Sequence, residues 1–145
     1  MADFLKIILA EDDLDDSFLF KEAINSLPYA VSLQVVEDGE QLINILAENI
    51  SPDFIFLDLN MPKRDGYDCL KQINKYKRED GASIIILSTS SNAESVNFAY
   101  ENGADLYLKK PDNFNSLVNG IRFCLEYRND KYPEKPARDK FLLLV

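Results

Sequence analysis

The stretch Phe54-Ile55-Phe56-Leu57-Asp58-Leu59-Asn60-Met61-Pro62 places one acid at the end of an apolar run. A strand that is apolar throughout needs cover on both faces, so this run reads as a central strand of a parallel sheet. Open α/β sheets bind ligands at the C-terminal rim of their strands, which makes Asp58 a candidate site residue. Three other runs end in reactive groups of the same kind. Phe4 to Ala10 leads into Glu11-Asp12-Asp13, Ile84 to Leu87 leads into the hydroxyls of Ser88 and Thr89, and Asp105 to Leu108 leads into Lys109-Lys110-Pro111.

Working outward from these runs, strands and helices alternate, the pattern of a parallel sheet covered by helices on both sides. With Asp15 as its cap, a first helix carries Phe18, Leu19, Ala23, Ile24 and Leu27 at helical spacing and stops at Pro28. Val31, Leu33 and Val35 alternate with polar residues, as in a strand near the sheet edge. Asp38-Gly39 then turns the chain into a second helix with Leu42, Ile43 and Leu46 inward. A third helix is expected from about Gly66 to Tyr76, with Tyr67, Leu70 and Ile73 inward and the cluster Arg78 to Gly81 ending it. A fourth spans roughly Asn92 to Asn102, with Gly103 placed for the left-handed residue after a helix end. A fifth carries Phe114, Leu117, Val118, Ile121, Cys124 and Leu125.

At 145 residues and 46% hydrophobic content the chain has room for one domain with a substantial core. Its net charge of −9, from 25 acidic and 16 basic residues, repels phosphate backbones and anionic membranes. Neither nucleic acid nor membrane is an expected partner. Cys69 and Cys124 show no CxxC spacing and read as small packing residues of a reducing compartment, and the N-terminus lacks the features of a signal peptide, so the expected location is cytoplasmic. From Arg128 the chain changes character. Tyr132-Pro133-Glu134-Lys135-Pro136 cannot continue a helix, yet Phe141 to Val145 is apolar, so this end either folds back on the domain or packs against another chain.

Glu11-Asp12, Asp58, Ser88 and Lys110-Pro111, in that order, resemble the receiver domain of two-component response regulators. The resemblance spans Lys6 to Tyr127, giving a receiver over 1–127 and a C-terminal extension over 128–145. No basic or helix-turn-helix segment follows Tyr127, so a stand-alone regulator is expected. The implied fold is α/β and flavodoxin-like, a (βα)5 doubly wound five-stranded parallel sheet in the order 2-1-3-4-5, which sets the Asp12 and Asp58 strands side by side. Leu59 to Lys63 and Ser88 to Ser91 further resemble the small regulators that accompany phytochrome-type kinases.

The resemblance implies a phosphoryl group carried on Asp58 and Mg2+ held by Glu11, Asp12, Asp58 and the backbone carbonyl of Asn60. A cation there removes the repulsion between an attacking carboxylate and a phosphoryl group. The register Asp12-Asp13 can also bind the ion; the end of the aliphatic strand at Ala10 favours Glu11 and Asp12, leaving Asp13 as a turn residue. Lys110, which directly precedes the proline and is implied to form a cis peptide with Pro111, would meet the phosphoryl oxygens, with Lys109 as its rival. Ser88 is the implied sensor hydroxyl and Tyr107 the aromatic that turns inward with it. Thr89, bulkier than the family's usual residue, bears on access to Asp58.

With 0 histidines in the chain, a phosphohistidine must come from another protein, a sensor histidine kinase or histidine phosphotransfer protein. The output would be a changed surface on helix four, strand five and helix five that binds a downstream protein, with homodimerisation through that face or the tail left open. Three competing functions are weaker. A haloacid-dehalogenase-type phosphatase uses an acid two positions after its nucleophile, where this chain has Asn60. A flavin carrier needs a phosphate loop where Glu11, Asp12 and Asp13 stand. A phosphorylation-independent binding module would not need the full set of reactive residues.

Overall fold

The computed structural model describes residues 4–48, 51–59, 66–129 and 136–144. Its elements run β1 (Leu5–Ala10), α1 (Leu14–Asn25), β2 (Val31–Val36), α2 (Gly39–Leu46), β3 (Phe54–Leu57), α3 (Gly66–Asp80), β4 (Ser83–Ser88), α4 (Ala93–Glu101), β5 (Leu106–Lys109), α5 (Phe114–Asn129), α6 (Arg138–Phe141) and β6 (Leu142–Leu143). The strands form a parallel sheet in the order β2-β1-β3-β4-β5-β6. Its first five strands follow the expected order 2-1-3-4-5, and the chain adds a sixth.

Successive residues of a strand face opposite sides, so each buried strand feeds two cores. Ile8, Ile55, Leu57, Ile84 and Ile86 pack with Leu42, Leu46, Leu70, Ile73 and Val96 of α2, α3 and α4. Ile7, Leu9, Phe54, Phe56, Ile85 and Leu87 pack with Phe20, Ile24, Ile121 and Leu125 of α1 and α5. Every residue of β3 and β4 is buried, which is why these strands are apolar without alternation. Strand β2 lies at the sheet edge, where Val31 and Leu33 are half-buried and Val35 is exposed.

Helix α1 departs from expectation in its first turns. Its cap is Asp13, whose carboxylate accepts from the Asp16 N–H at 2.9 Å, rather than Asp15. Ala23, Ile24 and Leu27 are buried as expected, but Phe18 and Leu19 are exposed and Phe20 is buried in their place. Asp16, in the first turn, stands at the rim of the sheet. In α5, Asn113 accepts from the Ser116 N–H at 2.9 Å, and Phe114, expected inward, is exposed on the first turn. Helix α3 runs through the charged cluster to Asp80, and Gly81 at φ +74° follows it. Gly103 takes φ +100° after α4, the left-handed conformation that glycine adopts without strain.

The sixth strand comes from the apolar end of the chain, which folds back on the domain. Leu142 and Leu143 align with Tyr107 and Leu108 of β5. Phe141 is fully buried between Tyr100 and Tyr107, with ring centroids 5.1 and 6.2 Å away. Arg138 Nε donates to Asn97 Oδ1 at 2.7 Å, and the Tyr100 hydroxyl donates to the Pro136 carbonyl at 3.3 Å. The stretch Tyr132 to Lys135, expected to be extended, lies outside the described residues.

Candidate functional site

Glu11, Asp58 and Lys110 are each the first residue past a strand, and their backbones still belong to the sheet ladder. Glu11 N–H donates to the Val36 carbonyl at 2.9 Å, Asp58 N–H to the Ala10 carbonyl at 3.1 Å, and Lys110 N–H to the Ser88 carbonyl at 2.7 Å. These bonds hold the side chains at a rigid edge rather than on free loops. Glycine at position 66 closes the far side. A Cβ there would stand 2.3 Å from Leu59 Cα and 2.6 Å from the Asp58 carbonyl oxygen, so the start of α3 approaches the Asp58 backbone as only glycine can.

Glu11, Asp12 and Asp58 offer carboxylate oxygens that all lie within 4.8 Å of one another. Glu11 and Asp58 are buried and Asp12 is exposed, so the cluster opens to solvent on the Asp12 side. Such a set of hard oxygen donors suits Mg2+ or Mn2+. Asn60 lies outside the described residues, as do Met61, Pro62 and Asp65.

Lys110, rather than the exposed Lys109, carries its ammonium to the acids. Nζ lies 2.5 Å from Glu11 Oε1, 2.9 Å from Asp16 Oδ2 and 3.4 Å from Asp58 Oδ2. Burial by itself lowers a lysine's proton affinity, but the bonds to Glu11 and Asp16 outweigh it and the net shift is upward. Burial pushes the Glu11 carboxyl up from 4.5 to about 7; the Lys110 hydrogen bond opposes that rise and the neighbouring charge of Asp58 adds to it. No peptide bond among the described residues is cis. The Lys110–Pro111 bond, expected cis, takes instead the trans form that X-Pro bonds favour. With the Lys110 N–H tied to Ser88, the trans chain already delivers the ammonium to the acids.

Ser88 is buried at the end of β4, where its hydroxyl accepts from the Ser90 N–H at 3.2 Å. Tyr107 points into the protein and its hydroxyl donates to the Ser90 carbonyl at 2.7 Å. Burial raises the phenol's pKa, and its hydrogen bond with Ser88 opposes that rise. Ser88, Ser90 and Tyr107 therefore form one bonded group behind the acidic cluster. Cys69 and Cys124 are both buried, and burial pushes the Cys124 thiol up, which suits packing rather than reactivity. No helix among the described residues is long and apolar enough to cross a membrane.

The sequence profile of the response regulator receiver domain matches residues 7–122. The chain belongs to that family. Among its relatives, the response regulator Rcp1 of Synechocystis is 32% identical over 130 residues, covering 83% of this chain and 88% of Rcp1. The transcriptional regulatory protein CpxR of Escherichia coli K12 is 36% identical over 121 residues, covering 83% of this chain. This receiver spans only 49% of CpxR, about half the length of that relative. Among solved structures, the phosphorylated cyanobacterial phytochrome response regulator RcpA superimposes with a TM-score of 0.78 at 29% identity, covering 86% of this chain and 94% of RcpA. The Mn2+-bound form of Rcp1 gives a TM-score of 0.75 at 30% identity, covering 91% and 99%.

A divalent cation held by this acidic cluster would bind with an affinity that depends on pH. Below about 7 the Glu11 carboxyl carries a proton that a cation must displace. Affinity for Mg2+ should therefore be about tenfold weaker at pH 6 than at pH 8. Calorimetric titration at the two pH values checks this, and equal affinities would remove Glu11 from the ligand set.

The sequence reading gave no role to Asp16, and it took Phe141 only as part of an apolar end. For Asp16 the available signal was Asp13, a strong cap residue three positions earlier. Choosing it instead of Asp15 places Asp16 in the first turn of α1, with its N–H held by the cap.

Proposed function

We propose that this receiver takes a phosphoryl group onto Asp58 from a phosphohistidine of a sensor histidine kinase or a histidine phosphotransfer protein. The observation that carries this reading is the meeting of Glu11, Asp12, Asp58 and Lys110 at one sheet rim. An oxygen of the Asp58 carboxylate attacks phosphorus, the P–O bond forms as the P–N bond breaks, and the imidazole leaves with the bonding pair. Lys110 sets its ammonium against the phosphoryl oxygens, where negative charge gathers. Glu11, Asp12 and Asp58, with the Asn60 carbonyl completing the set, would hold Mg2+, which when bound neutralises charge between carboxylate and phosphoryl group. The Mn2+-bound state of Rcp1 supports a divalent ion at this rim.

The phosphoryl group then competes for the Ser88 hydroxyl. Losing Ser88 alters the bonds that hold Tyr107, and so biases the surface of α4, β5 and α5 between two states. A downstream protein reads that surface in the cytoplasm. The likeness to RcpA and Rcp1 favours a phytochrome-type kinase as donor.

Incubation with acetyl phosphate, followed by phosphate-affinity electrophoresis, tests the reading. The wild type should shift only with Mg2+, and Asp58→Asn should not shift at all. A shift retained by Asp58→Asn would remove Asp58 as acceptor, and no shift in folded wild type would favour a phosphorylation-independent binding module.

A further inference from the structure

We infer that Asp16 is a positioning residue that fixes the direction in which the Lys110 ammonium faces Asp58, an inference that rests on Asp58 being the phosphoacceptor. An ammonium has three tetrahedral N–H donors, and this one has three carboxylate acceptors, on Glu11, Asp16 and Asp58. Two of them have other work. Glu11 and Asp58 belong to the carboxylate group that suits a divalent ion, and Asp58 also receives the phosphoryl group, whereas Asp16 is outside that group. Asp16 alone among the three keeps its oxygen for Lys110 throughout the cycle.

The surroundings leave this task to Asp16. A hollow beside the site is lined by Leu19, Phe20, Leu87, Pro111 and Leu117, with Asp16 and Lys110 its only charged groups among the described residues. The apolar wall packs the lysine stem but gives the ammonium no hydrogen-bond partner, so the acids alone decide where its protons point. Asp16 is itself fixed, because its N–H is held by the Asp13 cap and the first turn of α1 carries it. In this structure the bonds to Glu11 and Asp16 leave the third proton facing Asp58; when Glu11 turns to a cation, the Asp16 bond is the one that keeps the ammonium aimed at Asp58 and at a phosphoryl oxygen attached there. Asp16 is 41% exposed, so the pair adds little to stability and its effect lies in orientation.

The test compares initial rates of phosphoryl uptake from acetyl phosphate with Mg2+ in the wild type, Asp16→Ala, Asp16→Asn and Asp15→Ala. Asp16→Ala should slow uptake about two- to fivefold, the size an exposed ion pair supports. Asp16→Asn keeps an acceptor oxygen and should stay near the wild-type rate. Asp15→Ala removes an equal charge from the same turn and should change nothing. An Asp16→Ala rate equal to wild type overturns the inference, as does an equal fall in Asp16→Ala and Asp16→Asn, which would point to charge rather than placement. A second readout needs no phosphorylation. In 15N spectra of the lysine ammonium groups, the hydrogen-bonded Lys110 signal should be lost to fast exchange in Asp16→Ala and kept in Asp16→Asn. Its persistence in Asp16→Ala overturns the inference. Failure of the wild type to take up phosphoryl counts instead against the function proposed above, and the spectra still decide the role of Asp16.

Discussion

Phe141→Ala should destabilise the domain by about 3–5 kcal/mol, the range for emptying a fully buried phenylalanine site. Phe141 fills the space against Tyr100 and Tyr107, and it directly precedes the two residues that pair with β5. Truncation removes buried apolar surface, leaves a cavity beside Tyr107, and weakens the strand that covers the edge of β5. For a domain of this size the loss corresponds to a fall of roughly 10 °C in Tm. Leu144→Ala, at an exposed position of the same segment, should change stability by no more than about 0.5 kcal/mol. Urea unfolding of both variants measures the contrast. A Phe141→Ala loss below about 1 kcal/mol would show that the segment does not rest on the core in solution.

Lys110→Met should reduce phosphoryl uptake on the order of 10²-fold, as when one charge-stabilising donor is removed from a reaction centre. Methionine keeps most of the stem that lies against Leu87 and Pro111, so the loss is of charge rather than of packing. The same variant should show a pH-dependent loss of stability without metal. In the folded wild type, burial raises the Glu11 carboxyl from 4.5 to about 7 despite the Lys110 bond. A carboxyl whose folded pKa is raised favours folding while protonated, and that contribution is lost as pH rises through about 7. Lys110 offsets the cost of the ionised form, and without it the ionised Glu11 loses that partner. The deficit relative to wild type should thus be larger at pH 8 than at pH 6, by up to about 1.4 kcal/mol. Thermal unfolding at both pH values decides it: a deficit that is constant or larger at pH 6 would mean that Glu11 is not the group Lys110 neutralises.

Much of this architecture is written locally. Apolar runs without alternation, as at Phe54 to Leu57 and Ile84 to Leu87, arise because both faces of a central parallel strand are covered, so they show which strands are central. The rim residues are legible for the same reason: each lies within two residues of the end of such a run, and parallel strands all end at one edge. That much needs only neighbours in sequence, and it was enough to expect the acids after Ala10, Asp58, Ser88 and the lysine pair Lys109-Lys110 together at one edge.

What depends on distant partners was not legible. Asp13 and Asp15 are both competent caps, and in the first turns of α1 three apolar residues, Phe18 to Phe20, stand in a row, so only packing decided that Phe20 goes in while Phe18 and Leu19 stay out. Asp16 meets Lys110 across 94 residues, a contact that no periodicity encodes. The resemblance chose Lys110 over Lys109, and the trans peptide at Pro111 departs from what it implied. The last residues offered two equally good fates for their apolar side chains. Tertiary structure chose between them because β5 had an open edge and Tyr100 and Tyr107 left a space that Phe141 fills. Local sequence set the strands and the order of reactive groups along the rim, since these follow from burial and chain direction. Only the folded chain could set which side chains meet and where the tail ends, since both depend on surfaces that exist once the sheet has formed.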